Sequence, residues 1–273
     1  EDEMTFLDRI SLNIGLRYAL SGASGKLWNS LEPRAALRVE CCDGVDFKVS
    51  YTEMSQFAHL ISTTYLDIPT NCWLPSTPEI APMHSRQVAG GIYCSLPLNF
   101  RLNIEGWYKT MDNLLEYSGA NALFPPLDTW ETSFYKGRGR SYGLETEFGW
   151  RSRALSLTAY YTLSWSQRKF DDIWTGWYSH RHDNRHKLTL MACWKISRAV
   201  DIYATWNYNS GGWMTVATHI YNPGEVFHRI YTKPNNVNLP DYHRLDLGAN
   251  FRKTSKGGLE HVWNIGIYNA YCR

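Results

Sequence analysis

Along residues 154–166 the side chains alternate without a break. Leu155, Leu157, Ala159, Tyr161, Leu163 and Trp165 fall on one side of an extended chain, and Ser156, Thr158, Tyr160, Thr162 and Ser164 on the other. Period two is the spacing of a β-strand, whose successive side chains point to opposite faces. So long a run, with one greasy and one polar row, calls for an apolar medium on one side and water on the other. The pattern recurs. Leu188, Leu190, Ala192, Trp194 and Ile196 alternate with Lys187, Thr189, Met191, Cys193 and Lys195; Val200, Ile202, Ala204, Trp206 and Tyr208 alternate with Asp201, Tyr203, Thr205, Asn207 and Asn209. Further apolar rows are Phe47, Val49 and Tyr51; Phe100, Leu102, Ile104 and Tyr108; Leu144, Phe148 and Trp150; Leu245, Leu247, Ala249 and Phe251; and Trp263, Ile265 and Ile267.

About eleven such segments can be counted, and their lengths are close to the nine to eleven residues that a tilted strand needs to cross a hydrocarbon core. Tight turns fall at Cys42-Asp43-Gly44, at Leu96-Pro97-Leu98-Asn99, around Ser152-Arg153, around Ser197-Arg198 and at Thr254-Ser255-Lys256-Gly257-Gly258. Long polar connections are expected over residues 20–33, 56–87, 113–139, 167–184 and 210–240. Short turns on one side and long loops on the other predict an all-β, antiparallel transmembrane β-barrel, with periplasmic turns and extracellular loops. A soluble β-sandwich or propeller also alternates, but its strands are shorter and its aromatics need not gather at strand ends.

Composition fits the same reading. Twelve Trp and 18 Tyr bring the aromatics to 15% of the chain, and such rings suit a headgroup boundary. No run of apolar residues is long enough for a helical span. The near-balanced charge of +2 gives no electrostatic case for a nucleic-acid partner. Glu1-Asp2-Glu3-Met4 lacks the basic start and apolar core of a secretory signal. The expectation is therefore a piece of a larger exported polypeptide, which an odd strand count also favours.

Chemical motifs are sparse. Cys41 and Cys42 are adjacent while Cys72, Cys94, Cys193 and Cys272 stand apart, so zinc spacing fails; a loop disulfide through Cys72 would suit an oxidising compartment. His180, His182, Asp183 and His186 are metal-ligand types, yet His186 falls where the next strand begins, and the expectation is a polar loop base with no metal. Lys136-Gly137-Arg138-Gly139-Arg140-Ser141-Tyr142-Gly143 precedes a strand, whereas a phosphate loop precedes a helix; the glycines are expected to bring neighbouring chain close. Glu145 and Glu147 share a face, as glycosidase carboxylates would, but Arg17, Arg34, Arg38, Glu40, Lys48, Arg101, Glu105, Lys109, Arg244, Asp246 and Arg252 form similar charged rows, so lumen lining is expected. No Ser, His and Asp grouping suggests a nucleophilic triad. Neither enzyme activity nor a cofactor is expected.

Several stretches also resemble a known family: Leu31-Glu32-Pro33-Arg34, Ser50-Tyr51-Thr52-Glu53-Met54-Ser55-Gln56, Gly106-Trp107-Tyr108-Lys109 followed by Asn113-Leu114-Leu115-Glu116-Tyr117, Gly137 to Glu145, Asp183-Asn184-Arg185-His186, Pro240-Asp241-Tyr242-His243-Arg244-Leu245-Asp246, and Asn264-Ile265-Gly266-Ile267-Tyr268-Asn269-Ala270-Tyr271. Their order resembles the C-terminal half of the barrel of TonB-dependent outer-membrane receptors, especially those of the Bacteroidetes type. The resemblance implies a twenty-two-stranded barrel, plugged by an N-terminal globular domain and energised by the inner-membrane TonB complex. Residues 1–273 would be a partial barrel domain without the plug, the early strands or the last strand.

The function expected on that basis is uptake, at the bacterial outer membrane, of a scarce nutrient such as a siderophore, haem, cobalamin or glycan. Its partners would be outer-membrane lipid, the plug, the TonB complex and a small nutrient ligand. Loop aromatics Trp73, Trp130, Trp174, Trp177, Tyr178 and Trp213 are the candidate ligand contacts, against the alternative that each only packs its loop. A passive porin, an outer-membrane adhesin and a soluble carbohydrate-binding β-domain are the rival readings.

Overall fold

The computed structural model describes residues 2–6, 9–61, 72–117, 130–221, 228–230 and 232–272, with backbone alone for Ile61, Cys72, Tyr117, Trp130, Ile220, Tyr221, His228, Arg229 and Ile230. Four strands open the chain: β1 (Asp2–Phe6), β2 (Ile10–Ala23), β3 (Lys26–Cys42) and β4 (Val45–Gln56). A hairpin of β5 (Ala58–Ile61) and β6 (Cys72–Pro75) precedes β7 (Met83–Leu96), β8 (Phe100–Tyr117), β9 (Phe134–Arg151) and β10 (Leu155–Phe170). β11 (Trp174–Ser179) folds back on β10, then β12 (His186–Lys195) and β13 (Val200–Asn209) follow. Short pieces β14 (Trp213–Met214), β15 (His219–Tyr221), β16 (His228–Ile230) and β17 (Val237–Asn238) lie before β18 (Tyr242–Thr254) and β19 (Glu260–Ile267).

The long strands make one antiparallel wall in the order β1-β2-β3-β4-β7-β8-β9-β10-β12-β13-β18-β19, each pairing with its predecessor in that path. This is the up-and-down wall of a barrel. Among the described residues β1 and β19 do not pair, so the wall is open along both edges. The strand beyond the eleven expected is β1, five residues long and too short to display a period.

The predicted tight turns are all present, at 43–44, 97–99, 152–154, 196–199 and 255–259. One predicted loop is not. Residues 20–33 are no long connection: β2 runs to Ala23, β3 starts at Lys26, and only Ser24 and Gly25 lie between, with φ of 51° and 77°. Two consecutive left-handed residues are what a two-residue hairpin turn requires, and the Ser-Gly pair supplies them. Strict alternation of short and long connections therefore fails at this hairpin. The 113–139 expectation was also too wide, since β8 continues to Tyr117 and β9 begins at Phe134. A bulge at Asn113, φ 59°, shifts the register between Met111 and Leu114 and interrupts period two. Likewise β7 already begins at Met83, and β10 and β11 occupy much of 167–184.

Register fixes the two faces. Trp165, Tyr142, Tyr108, Val88, Tyr51, Ala35 and Ile14 form one row across seven strands. Toward the short turns lies a second row, Leu157, Trp150, Phe100 and Leu96. Tyr142 and Trp150 are eight positions apart on β9, about 26 Å along a strand and roughly 20 Å in height after a tilt of about 40°. The aromatics stack within these rows: Tyr142 on Trp165 at 5.2 Å, Tyr108 on Tyr142 at 6.1 Å, and Phe100 on Trp150 at 5.9 Å between centroids. Between the rows the apolar side chains face outward and are largely exposed, among them Ile92, Ile104, Leu144 and Leu190. They do not meet one another across a dry core; the buried apolar side chains cluster elsewhere, beyond the upper aromatic row. No described helix is long and apolar enough to cross a membrane, which says nothing about crossing by strands.

Candidate functional site

The opposite face carries the charge. One row crosses the wall as Arg38, Lys48, Gly91, Glu105, Glu145, Thr162, Lys187 and Asn209. The charged residues expected to line a lumen fall on this face, because period two sends them there once the apolar rows face out. Many are paired. Arg38 donates to Asp46 at 2.9 Å, Arg101 to Glu147 at 2.6 Å and Arg244 to Asp246 at 3.0 Å, while Asp201 accepts from Arg252 and, at 2.7 Å, from Asn250. Lys48 Nζ lies 4.1 Å from the centre of the Tyr93 ring, and the Tyr93 hydroxyl donates to Glu105. Glu105 stands directly opposite Glu145. Two like charges in that relation are tolerable only on a wet surface.

Beyond the upper aromatic row, outside the membrane-spanning stretch, the same face closes into a small core. Leu114, Phe170 and Tyr178 are buried against Met83, Met111, Tyr135 and Ile173. The three buried side chains come from β8, β10 and β11, and meet because β9 between them presents Gly137 and Gly139. A Cβ on Gly137 would lie 2.5 Å from Phe170 Cδ1, and one on Gly139 would lie 2.7 Å from Leu114 Cδ1. The glycine run thus admits neighbouring chain, as its position before a strand suggested.

A charged pair sits beside this core. Glu116, 8% exposed, faces Arg168, whose Nη1 is 3.5 Å from Glu116 Oε2; Oε1 is buried without a hydrogen-bond partner. Burial pushes the Glu116 carboxyl up to about 7, against the pull of Arg168 and Arg181. Burial also lowers Arg168. His180 is pushed down to about 2, first by burial and then by Arg168, His182 and Arg181. Its ring lies edge-on to His182 at 5.3 Å. No group of three or more His, Cys, Asp or Glu among the described residues has metal-holding geometry. Asp183 instead accepts the Ser166 backbone N–H at 2.9 Å and pairs with Arg185 at 3.0 Å, and His186 pairs with Tyr161 at 2.9 Å.

The six candidate aromatics are not brought together. Trp73 stands exposed on the β5–β6 hairpin. Trp174 starts β11 opposite Phe170, on the inner face. Tyr178, 3% exposed, belongs to the small core. Trp177 packs outward under Arg140, whose guanidinium lies 4.3 Å from the indole centre and whose Nε donates to Gln167 at 2.7 Å. Trp213 opens β14, and its backbone N–H donates to the Arg181 carbonyl at 3.0 Å. The Trp130 side chain lies outside the described residues, as does that of Cys72. Sequence reading gave no role to Glu116, Arg168 or Arg140 individually, since each finds its partner across strands.

A comparison with protein families matches residues 1–270 to the TonB dependent receptor-like, beta-barrel family. Solved structures agree in fold. The ferripyoverdine receptor of the outer membrane of Pseudomonas aeruginosa superposes with a TM-score of 0.66 at 14% identity, covering 99% of this chain and 34% of that one. The ferric-catecholate import receptor Fiu of E. coli K12 gives 0.62 at 13%, covering 98% and 39%, and the FrpB iron transporter of Neisseria meningitidis 0.64 at 13%, covering 99% and 40%. The chain therefore spans a third to two-fifths of the length of these receptors. No curated protein sequence matches it. With an antiparallel wall, greasy outside and charged inside, and a family match across nearly its whole length, the chain belongs to the β-barrel family of TonB-dependent receptors.

Proposed function

We propose that this chain is barrel wall from an outer-membrane receptor that takes up a scarce nutrient, with the lumen occupied by a separate N-terminal plug domain moved by the TonB complex. The observation that carries the reading is the two-faced wall: stacked aromatic rows bounding an exposed apolar band, backed by rows of charge suited to an aqueous or polar-filled lumen. In this reading residues 1–273 are a partial barrel domain of a twenty-two-stranded receptor, and the long-loop end meets the ligand.

The structural neighbours whose descriptions name ferripyoverdine, ferric catecholate or iron make a ferric chelate the first substrate class to test. Haem, cobalamin and glycans are the others. Trp73, Trp174 and Trp213 are the proposed ligand contacts: flat rings at the loop end suit planar or ring-bearing ligands. Tyr178 would hold the mouth from beneath, Trp177 would brace it from outside, and Trp130 is retained as a loop candidate. No enzyme chemistry is proposed.

The test is uptake by cells carrying the full-length receptor gene, intact or deleted, with labelled ferric chelates, haem, cobalamin and oligosaccharides. Accumulation that requires both the gene and an energised TonB complex supports the reading. Equal entry without TonB would make the barrel a passive porin. Recovery of the full-length protein in detergent-free buffer would favour the soluble carbohydrate-binding alternative.

A further inference from the structure

The outward face is not uniform. Across β10, β12, β13, β18 and β19 it sinks into an apolar trough of about 530 Å³. The cause is a local change of size: Ala192 is paired with Ala204, and Ala249 with Ile202, while Leu155, Trp194, Leu247 and Ile265 stand around them. Small residues also pair on this face at Gly90 and Gly106, but there they lie next to the upper aromatic row, away from the short turns. The trough ends toward the short turns, where Trp194 is half exposed.

The turns at that end are basic. Arg198 lies in the β12–β13 turn and Lys256 in the β18–β19 turn, and Lys253 falls on the outward face of β18 next to Phe251 in the apolar rows. All three are exposed, and none forms an ion pair among the described residues. A backbone bond holds the β12–β13 turn against the end of β18: Arg252 N–H donates to the Ala199 carbonyl at 2.7 Å. The nearby carboxylates point away. Asp201 is engaged by Arg252 and Asn250 on the charged face, and Glu260 shares that face through its pairing with Thr254.

A trough for hydrocarbon that opens onto unpaired guanidinium and ammonium groups has the chemistry of one occupant. We infer that this face holds an anionic phospholipid, with an acyl chain along Ala192, Ala204 and Ala249 and its phosphate among Arg198, Lys253 and Lys256. Guanidinium groups pair well with phosphate oxygens, basic clusters at a membrane surface attract anionic lipid, and Trp194 suits the boundary between the two parts. The inference rests on the reading that the apolar face meets a bilayer.

The experiment uses the full-length receptor, purified in detergent, exchanged with phosphatidylglycerol or phosphatidylcholine and examined by native mass spectrometry. Phosphatidylglycerol should be retained at least about tenfold more than phosphatidylcholine. Replacing Arg198, Lys253 and Lys256 together with Gln should abolish that preference while leaving some lipid of both kinds. Ala204→Leu, which fills the trough, should reduce retention of both lipids; a heat shift on gels confirms that each variant is folded. Equal retention of the two lipids by the native protein, or an unchanged preference in the Gln variant, would overturn the inference without touching the barrel. Retention of neither lipid by a protein soluble without detergent would overturn the barrel reading itself.

Discussion

Glu116 and Arg168 face each other at 3.5 Å from strands that are not neighbours: β8 carries one, β10 the other, and β9 runs between them. They meet because β9 contributes Gly137 and Gly139 at that level. The same gap seats Leu114 against Phe170 and Tyr178. Three strands and the β11 hairpin are thereby tied into one unit above the aromatic row, where the proposed ligand contacts begin.

That unit should answer to pH in two opposing ways. Glu116, raised to about 7 by burial, stabilises the packed unit in acid, and this contribution of up to about 3 kcal/mol is lost as pH climbs from the ordinary carboxylate range through 7. His180, pushed down to about 2, resists protonation while packed, so the unit loses stability as pH falls below the ordinary imidazole value of about 6.5. Between about pH 4.5 and 6.5 the slopes cancel, and below that only the His180 loss remains. Amide exchange of residues 174–179, corrected for intrinsic rate, should therefore be flat across this window in the native receptor. Glu116→Gln should lose protection steadily as pH drops from 6.5, and His180→Asn should gain it as pH drops from 7 to 4.5. Parallel profiles for the three proteins would refute the assignment.

The two glycines should not be equivalent. A Cβ at Gly139 meets the ends of two flexible side chains, Leu114 at 2.7 Å and Met111 at 2.9 Å, whereas one at Gly137 meets the Phe170 ring and, at 2.6 Å, the Lys169 backbone oxygen. Gly139→Ala should cost under about 1 kcal/mol and Gly137→Ala about 1–3 kcal/mol. Exchange protection of β11 measures the difference, and equal losses would contradict it.

Charge placed on the wall should be costly on one face alone. Ala204 faces outward and its neighbour Thr205 faces inward opposite Asp246. In vesicles, Ala204→Arg should destabilise the full-length receptor by about 2–4 kcal/mol, and Thr205→Arg should stay within about 0.5 kcal/mol. Urea unfolding of both variants provides the comparison.

Much of the wall is readable in the residues themselves. Leu155 to Trp165 alternate without interruption, and a row of that kind can face two media in only one register. Reading failed where period two fails. Ser24 and Gly25 sit among small residues that look like a loop, and only their positive φ angles reveal a hairpin. Asn113 bulges out of β8, so Leu114, Leu115, Glu116 and Tyr117 no longer continue the earlier alternation. The mouth was less legible still. The Gly137 and Gly139 run announced close approach, but which side chains approach depends on pairing across β8, β9 and β10. Trp177 and Tyr178 are adjacent in sequence yet serve opposite faces, one beneath Arg140 and one inside the small core.

The central claim is that alternate residues of one strand touch different media. Single cysteines placed in turn at positions 157–162 of β10, in the full-length receptor depleted of its own reactive thiols and reconstituted in vesicles, test it directly. Replacements of Leu157, Ala159 and Tyr161 should be shielded from a water-soluble maleimide and reached by a lipid-phase spin probe, while those of Thr158, Tyr160 and Thr162 should show the reverse. Uniform reactivity along the strand, or shielding of both rows from both reagents, would contradict the account.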